Sequence, residues 1–283
     1  MKRGERLAVS LLQAGGRFFS TENPYYHKLQ TNPREAFAYS IRSGEVVLSQ
    51  FFPFNDLKGK SVLDFGCGQG GKTLYYAMQG AKSVIGVDFT AGSPLAAEII
   101  EEKDLPVRFE PLTEDGTTTL ADGEFDVILL SSVLEHAMDL PKALFELHRL
   151  LKPGALLLNR WHPFRTRNGS HMAAAVPLPF AHLLFSEKNV VRAFYLEQMR
   201  LHGRTPDFIS LDEHSESFAD CLGMGLNRIS VAAMKRMIEM AGFDIIERRY
   251  YINTTPVPWV NRIPETIRDF FFDYELHIAR KIV

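Results

Sequence analysis

Residues 61–71 read SVLDFGCGQGG, and this segment carries the strongest indication of the fold. Its first five residues form a short apolar segment typical of a buried strand, and the glycines that follow end that segment. A helical pattern begins near Lys72, so the stretch predicts a strand, a tight turn and a helix. Glycines in such a turn let the backbone approach a ligand with no Cβ in between, and the helix that follows offers free amides at its positive end.

A helix and loops precede this segment, and strands and helices alternate along the chain after it. Further strands are predicted at residues 82–87, 107–110, 125–130, 155–158 and 243–248, and helices at 34–51, 93–102, 141–151 and 230–240. Continuous apolar strands that alternate with helices indicate a mostly parallel sheet covered on both faces. We therefore expect an α/β fold of the doubly wound, Rossmann-like kind.

The alternation breaks between residues 161 and 228, where the chain is rich in proline, aromatic residues and histidine. This segment is too long for a simple connection and predicts a lid or substrate-binding insertion. The remaining parts are an N-terminal helical cap (1–60), the core (61–160) and the end of the α/β core with a C-terminal helix (229–283). An aromatic pattern over Ile263–Ile282 predicts that last helix, through which a homodimer could form.

Composition excludes several classes of protein. The chain has 283 residues, 46% of them hydrophobic, and a formal net charge of −2, so it lacks the basic excess typical of nucleic-acid-binding proteins. It has no apolar run of about 18 residues, and we predict no membrane span. Its two cysteines exclude a disulfide scaffold and favour a reducing, cytoplasmic location.

The glycine pattern by itself fits two kinds of nucleotide-like ligand. The GxGxxG spacing of dinucleotide binders is met by Gly66, Gly68 and Gly71. An acidic-x-Gly-x-Gly-x-Gly pattern is also present, because Asp64 precedes the glycines and Gly70 completes the series. A carboxylate at position 64 would repel a pyrophosphate, whereas it could accept hydrogen bonds from an amino group or order the loop amides.

These residues, taken with two later segments, resemble the class I S-adenosylmethionine-dependent methyltransferases. The resemblance is to the small-molecule group often called type 11 or ubiquinone-biosynthesis-like. The later segments read FDVILLSSVLEH (125–136) and LHRLLKPGALLL (147–158). The resemblance covers residues 60–160, and weakly 230–255, and implies a seven-stranded sheet whose last strand is antiparallel. It also implies S-adenosylmethionine as cofactor and methyl transfer to a small-molecule acceptor.

The resemblance assigns the glycine loop to the methionine part of the cofactor. The positions that would line it are Asp64, Gly66, Cys67, Gly68 and Gly70.

The resemblance places the nucleoside part of the cofactor against the next strands. Asp88 ends the second predicted strand and would hold the ribose, and Phe89 would lie against the adenine. Either Glu114 or Asp115 would accept from the adenine amino group, and spacing does not separate the two. Ser131, where the fourth predicted strand ends, would lie at the floor of the site.

The insertion is the segment in which acceptor chemistry is expected. Residues 160–204 contain seven Arg or Lys and two Glu, a local charge of +5, together with many aromatic residues. Arginine suits recognition of carboxylate or phosphate, which favours an anionic acceptor with an apolar or ring portion. A solvated basic face over a packed lid is the alternative.

Histidines supply the candidate catalytic base. His162 follows the fifth predicted strand, where ligands bind in doubly wound sheets, and His171 is the second candidate. The insertion histidines with Glu213 have the atoms to bind a metal but no tight spacing on one element, so we assign no metal ligand. We interpret Glu135 and His136 as structural or capping, because neighbours on a helix point about 100° apart.

Two other functions stay open on these observations. One is an NAD(P)-dependent oxidoreductase on the same fold class, which the GxGxxG spacing allows. The other is a catalytically silent, methyltransferase-like binding subunit. Cofactor binding would distinguish an oxidoreductase from a methyltransferase. An assay of methyl transfer would distinguish the silent binding subunit from an active methyltransferase.

Overall fold

A computed structural model describes residues 3–19, 32–172, 176–201 and 225–282 of the chain. Its centre is a single eight-stranded sheet with the strand order β3-β2-β1-β4-β5-β8-β6-β7. The strands are β1 (Ser61–Phe65), β2 (Ser83–Asp88), β3 (Val107–Pro111), β4 (Phe125–Ser131), β5 (Leu151–Trp161), β6 (Phe243–Ile252), β7 (Thr255–Pro256) and β8 (Tyr274–Lys281).

The first five strands run parallel to one another, and β8 is inserted antiparallel between β5 and β6. The doubly wound, mostly parallel sheet expected from the sequence is therefore confirmed. The sheet has eight strands rather than seven because β7, a two-residue strand, pairs with the end of β6 at the sheet edge.

Helices flank the sheet, and four of those in the described ranges begin at a residue whose side chain caps them. They are α1 (Arg3–Phe19), α2 (Pro33–Ser49), α3 (Gly71–Met78), α4 (Pro94–Lys103), α5 (Leu140–Leu150), α6 (Ala181–Leu184), α7 (Glu187–Leu201) and α8 (Val231–Met240). Ser93 accepts a hydrogen bond from the Ala96 amide at the start of α4, and Ser230 from the Ala233 amide at the start of α8. These side chains satisfy amides that have no partner within the helix. None of the helices in the described ranges has the length and apolar character that crossing a bilayer requires.

Apolar side chains cover both faces of the sheet. Alternate residues of β1 point to opposite sides, so Leu63 packs in one cluster with Ile128 and Leu130, while Val62 packs in the other with Val127. Burial on both faces explains why these strands read as continuous apolar runs rather than as alternating ones.

The C-terminal helix predicted over residues 263–282 is wrong. The chain forms two short 3-10 turns, Pro258–Arg262 and Arg268–Phe271, and then enters the sheet as β8. Tyr274, Leu276 and Ile278 lie two residues apart, and all three fill the same face of the sheet. Because β8 is an interior strand, hydrogen-bonded to β5 and β6, the helical surface through which we predicted a homodimer does not exist.

Strand β8 also carries a carboxylate into the interior. Glu275 is fully buried, accepting hydrogen bonds from Trp161 Nε1 at 3.1 Å and Arg248 Nε at 2.6 Å, with His277 Nε2 at 3.4 Å. Burial alone would raise the pKa of Glu275, but His277 and Arg248 outweigh it and bring the pKa to about 2. The carboxylate therefore stays ionised and ties β5, β6 and β8 together.

We predict that Glu275→Gln destabilises the protein by about 3 kcal/mol, because Arg248 then loses its fully buried anionic partner and keeps only the partly exposed Glu265. The loss is measured by urea unfolding at neutral pH. The matched control is Glu239→Gln, which removes the exposed i,i+4 pair with Lys235 and should cost less than about 0.5 kcal/mol. Equal costs for the two substitutions would contradict the role given to Glu275.

Candidate functional site

The candidate site lies at the carboxyl ends of the parallel strands. Strand β2 lies on one side of β1 and β4 on the other, so the connections after β1 and β4 diverge to opposite sides. A crevice opens at such a switch point, and it is the place where ligands bind in open α/β sheets. The glycine loop between β1 and α3 forms one wall of this crevice.

The backbone of the loop explains its glycines. Gly66, Gly68 and Gly70 all have positive φ, at 78°, 53° and 93°. A Cβ on Gly66 would overlap the side chain of Val133, and one on Gly70 would overlap the ring of Phe109. The loop is therefore packed between the end of β4 and the side of β3 and leaves no room for larger residues at these two positions.

Asp88 holds this loop in place. Its Oδ2 accepts a hydrogen bond from the Gly68 amide at 2.8 Å, and its Oδ1 accepts one from the Phe89 amide, also at 2.8 Å. A carboxylate has about four acceptor positions, so two remain for the hydrogen-bond donors of a ligand. The ring of Phe89 beside it is 60% exposed, and a flat ligand lying on it would remove that apolar surface from water.

Asp64 and Cys67 are enclosed by the protein. Asp64 is 1% exposed, and its Oδ2 accepts a hydrogen bond from Thr73 Oγ1 at 2.6 Å. Burial raises the pKa of the Asp64 carboxyl and of the Cys67 thiol. In this geometry Asp64 connects β1 to the first turn of α3 and so orders the loop, while its contact with a cofactor stays a prediction.

The two candidates for adenine recognition differ in their surroundings. The Asp115 carboxylate accepts a hydrogen bond from Lys142 Nζ at 2.6 Å on Oδ2 and one from Thr113 Oγ1 at 2.6 Å on Oδ1. These two hydrogen bonds lower the pKa of Asp115. Glu114 is exposed beside it. Ser131 ends β4 at the crevice, as expected from its position in the sequence.

A second wall of the crevice follows β4 and β5. A 3-10 turn over Leu134–His136 follows β4, and consecutive turns after β5 bring the chain back on itself. These turns include the hydrogen bonds from Thr166 N to Pro163 O and from His171 N to Asn168 O, at 3.1 and 3.0 Å.

The folding back assembles a cluster of four side chains, Glu135, His136, His162 and His171, which we call the histidine cluster. The ring centroid of His171 lies 5.1 Å from that of His136 and 5.5 Å from that of His162. Glu135 Oε1 lies 3.8 Å from His171 Nε2. The structure thus joins both predicted bases to the Glu135–His136 pair, which we had interpreted as structural.

The cluster carries little charge at neutral pH. Burial raises the pKa of Glu135 to about 8 and lowers that of His171 to about 4. Burial also lowers the pKa values of His136 and His162, the latter to well below its usual range. The three imidazoles are therefore neutral and have a lone pair available.

Sequence reasoning missed this cluster because it looked for ligands or acid–base pairs on one element. One oxygen of Glu135 and one nitrogen each of His136 and His171 lie within 4.8 Å of one another, which makes these three a set able to hold a metal ion. Among the other histidines, His182 is bonded to the Phe164 carbonyl and His148 packs against Phe243, so both are structural. Glu213 lies outside the described residues.

We predict that Gly70→Ala destabilises the ligand-free protein by about 1–3 kcal/mol more than Gly68→Ala does. Both substitutions force alanine to a positive φ, but only the Cβ at position 70 meets a neighbour, the Phe109 ring; the space around position 68 is open. Denaturant unfolding of the two variants measures the difference. Equal losses of unfolding free energy in the two variants would show that the packing of Phe109 against the loop does not contribute to stability.

Comparison with known proteins agrees with this architecture. Residues 63–159 match a family described as "Methyltransferase domain". The ubiquinone biosynthesis O-methyltransferase of Pseudomonas paraeruginosa is 37% identical over 100 residues, which are 35% of this chain and 42% of that protein. The enzyme of the same name from Azotobacter vinelandii is 31% identical over 172 residues, 60% of this chain and 66% of that protein. The chain thus matches less than two thirds of the length of these relatives.

A solved structure shares the fold over most of the chain. The crystal structure of an S-adenosylmethionine dependent methyltransferase from Mesorhizobium loti superimposes with a TM-score of 0.51 and 18% identity, covering 83% of this chain and 95% of that one. The sequence match to the methyltransferase domain, residues 63–159, contains the glycine loop, Asp88 and the end of β4. Residues 63–159 therefore match a methyltransferase domain family in sequence, and the chain shares the fold of a solved S-adenosylmethionine dependent methyltransferase.

Proposed function

We propose that the protein is an S-adenosylmethionine-dependent methyltransferase that acts on a small-molecule acceptor. The observation that carries the proposal is the geometry of Asp88, which fixes the Gly68 amide while two of its acceptor positions remain free at the switch point of the sheet. The exposed Phe89 ring beside it supports an adenosyl ligand, because that ring offers the apolar surface on which a purine stacks.

Different residues of the crevice would bind different parts of the cofactor. The methionine part would lie along the glycine loop, formed by Gly66, Cys67, Gly68 and Gly70 and ordered by Asp64. Asp88 would accept from the ribose hydroxyls. Glu114 is better suited than Asp115 to accept from the adenine amino group, because the Asp115 carboxylate is already bonded to Lys142 and Thr113.

S-adenosylmethionine, when bound, supplies a methyl group on a sulfonium that is already a good leaving group. The protein's main task is then to align the acceptor with that methyl group and to exclude water. For an acceptor hydroxyl, a base must also take the proton. His162 is the first candidate, because it is a neutral, partly buried imidazole directly beyond the end of β5. His171 is the second, and its ring contacts that of His162.

The acceptor would be anionic, with an apolar or ring portion. The guanidinium of Arg160 lies at the end of β5 with its Cζ 4.1 Å above the ring of Tyr274. Its Nε is buried and makes no hydrogen bond within the described ranges. A half-buried cation of this kind suits a carboxylate or phosphate. The lid predicted over residues 161–228 stays a prediction, because residues 173–175 and 202–224 lie outside the described residues. A cytoplasmic location also stays a prediction.

We predict that the protein binds S-adenosylmethionine and S-adenosylhomocysteine but not NADH, and that Asp88→Asn weakens this binding by about 10- to 100-fold, the equivalent of about 1.4–2.8 kcal/mol. Isothermal titration calorimetry measures both. The matched control is Asp122→Asn, an exposed carboxylate paired with Arg149 on the protein surface. Binding of NADH alone would overturn the proposal in favour of an oxidoreductase.

A second prediction concerns His162. Transfer of labelled methyl groups from S-adenosylmethionine to small molecules of a cell extract should fall by about 10²- to 10⁴-fold in His162→Gln, the usual contribution of a general base. Cofactor affinity should stay unchanged, because His162 is not placed against the cofactor. Cofactor binding without any methyl transfer by the unaltered protein would favour the silent binding subunit instead.

A further inference from the structure

The histidine cluster contains a carboxyl group, that of Glu135, which is buried and makes no hydrogen bond of ordinary length within the described ranges. Glu135 is 1% exposed, and neither of its carboxylate oxygens makes a hydrogen bond within the part of the chain that the structure describes. Leaving a buried polar group unpaired costs about 1–3 kcal/mol, and more for a charged one. A residue kept in this position at such a cost indicates a ligand that pairs with it.

The two imidazoles beside Glu135 each direct a nitrogen into the same space. His136 Nδ1 lies 3.0 Å from the Gly225 carbonyl oxygen, so Nδ1 carries the proton and Nε2 is left with a lone pair. A histidine that binds a metal commonly donates its other N–H to a backbone carbonyl in this way. His171 Nε2 is buried and also has no hydrogen-bond partner among the described residues.

The backbone around His171 is strained to place this side chain. His171 has a φ of 58°, a left-handed conformation that a residue other than glycine adopts at a cost of about 1–2 kcal/mol. The tight turn before it requires Gly169, since a Cβ there would overlap the Phe164 carbonyl. Strain of this kind is held where the surrounding structure uses the side chain it positions.

We propose that Glu135, His136 and His171 bind a divalent transition-metal ion of the zinc class. Two imidazoles and one carboxylate are a donor set that zinc accepts, and they leave at least one of its four positions for water or an acceptor oxygen. The ligand atoms lie within 4.8 Å of one another, so small side-chain movements bring them to bonding distance. His171 lies beyond residues 63–159, so this site is not a consequence of the match to the methyltransferase domain.

The charges around the site suit a further anionic ligand. Arg160 is close enough to act on Glu135 and on His162, and a divalent ion held by a single carboxylate leaves an excess of positive charge. A hydroxide or a deprotonated acceptor oxygen would complete the coordination. The site also adjoins the glycine loop, because Val133, two residues before Glu135, packs against Gly66.

The test measures metal binding without cofactor or acceptor, so its result does not depend on methyl transfer. The full chain is stripped of metal with a chelator, and Zn²⁺ is titrated in competition with a chromophoric chelator. We expect one Zn²⁺ per chain. Glu135→Gln and His171→Gln should each weaken the affinity by more than about 100-fold, because the loss of an outer-shell partner alone costs about 10- to 100-fold. The matched control, His148→Gln, removes an imidazole that packs against Phe243 and should leave the affinity unchanged.

A second measurement keeps the test decisive if a variant fails to fold, which circular dichroism of the metal-free proteins reveals. Co²⁺ added to the unaltered protein should produce the intense visible absorption of a four- or five-coordinate ion with nitrogen ligands, and Zn²⁺ should abolish it. The absence of that absorption overturns the proposal. Zinc binding with the same affinity in folded Glu135→Gln and His171→Gln also overturns it, since the ion would then be bound elsewhere.

Discussion

The parallel pairing of β1, β2, β4 and β5 determines where the candidate site forms. Parallel strands end at one edge of the sheet, so the loops that follow them converge whatever their separation in the sequence. The glycine loop, Asp88, the turn at Glu135 and the segment after Trp161 all meet at this edge for that reason. The buried, two-sided sheet fixes their positions, and Asp88 then holds the glycine loop through the amide of Gly68.

The edge has two walls of different chemistry. Around the glycine loop, backbone amides and the Asp88 carboxylate face a crevice that suits an adenosyl ligand. Beyond β4 and β5 lie a protonated carboxyl group and three neutral imidazoles, all made so by burial. A methyl donor on the first wall and a proton acceptor or metal on the second would place both halves of a transfer reaction in the same crevice. The Arg160 guanidinium, stacked on Tyr274, lies beside the second wall.

The C-terminal segment shows how local pattern and tertiary structure can disagree. Phe270, Phe271 and Phe272 gave this region an apolar density that fits a helix as well as a strand. The period of two in Tyr274, Leu276 and Ile278 was the available signal, and it indicated a strand. That β8 enters the middle of the sheet depends on partners far away in sequence, above all Trp161 and Arg248, which bond to Glu275.

The order of the strands and helices through residue 160, the glycine loop and the place of Asp88 could all be predicted without the structure. Each of these follows from local signals: apolar runs, capping residues and glycines that turn the chain. Which distant side chains meet depends instead on how the elements pack in three dimensions. Glu135 and His136 were interpreted as structural because neighbouring side chains on a helix point in different directions. In the structure they lie on a 3-10 turn, and the strained backbone at His171 brings the His171 side chain against both of them. No spacing along one element could reveal that site, because its ligands come from two segments that meet only when the strands before them pair in the sheet.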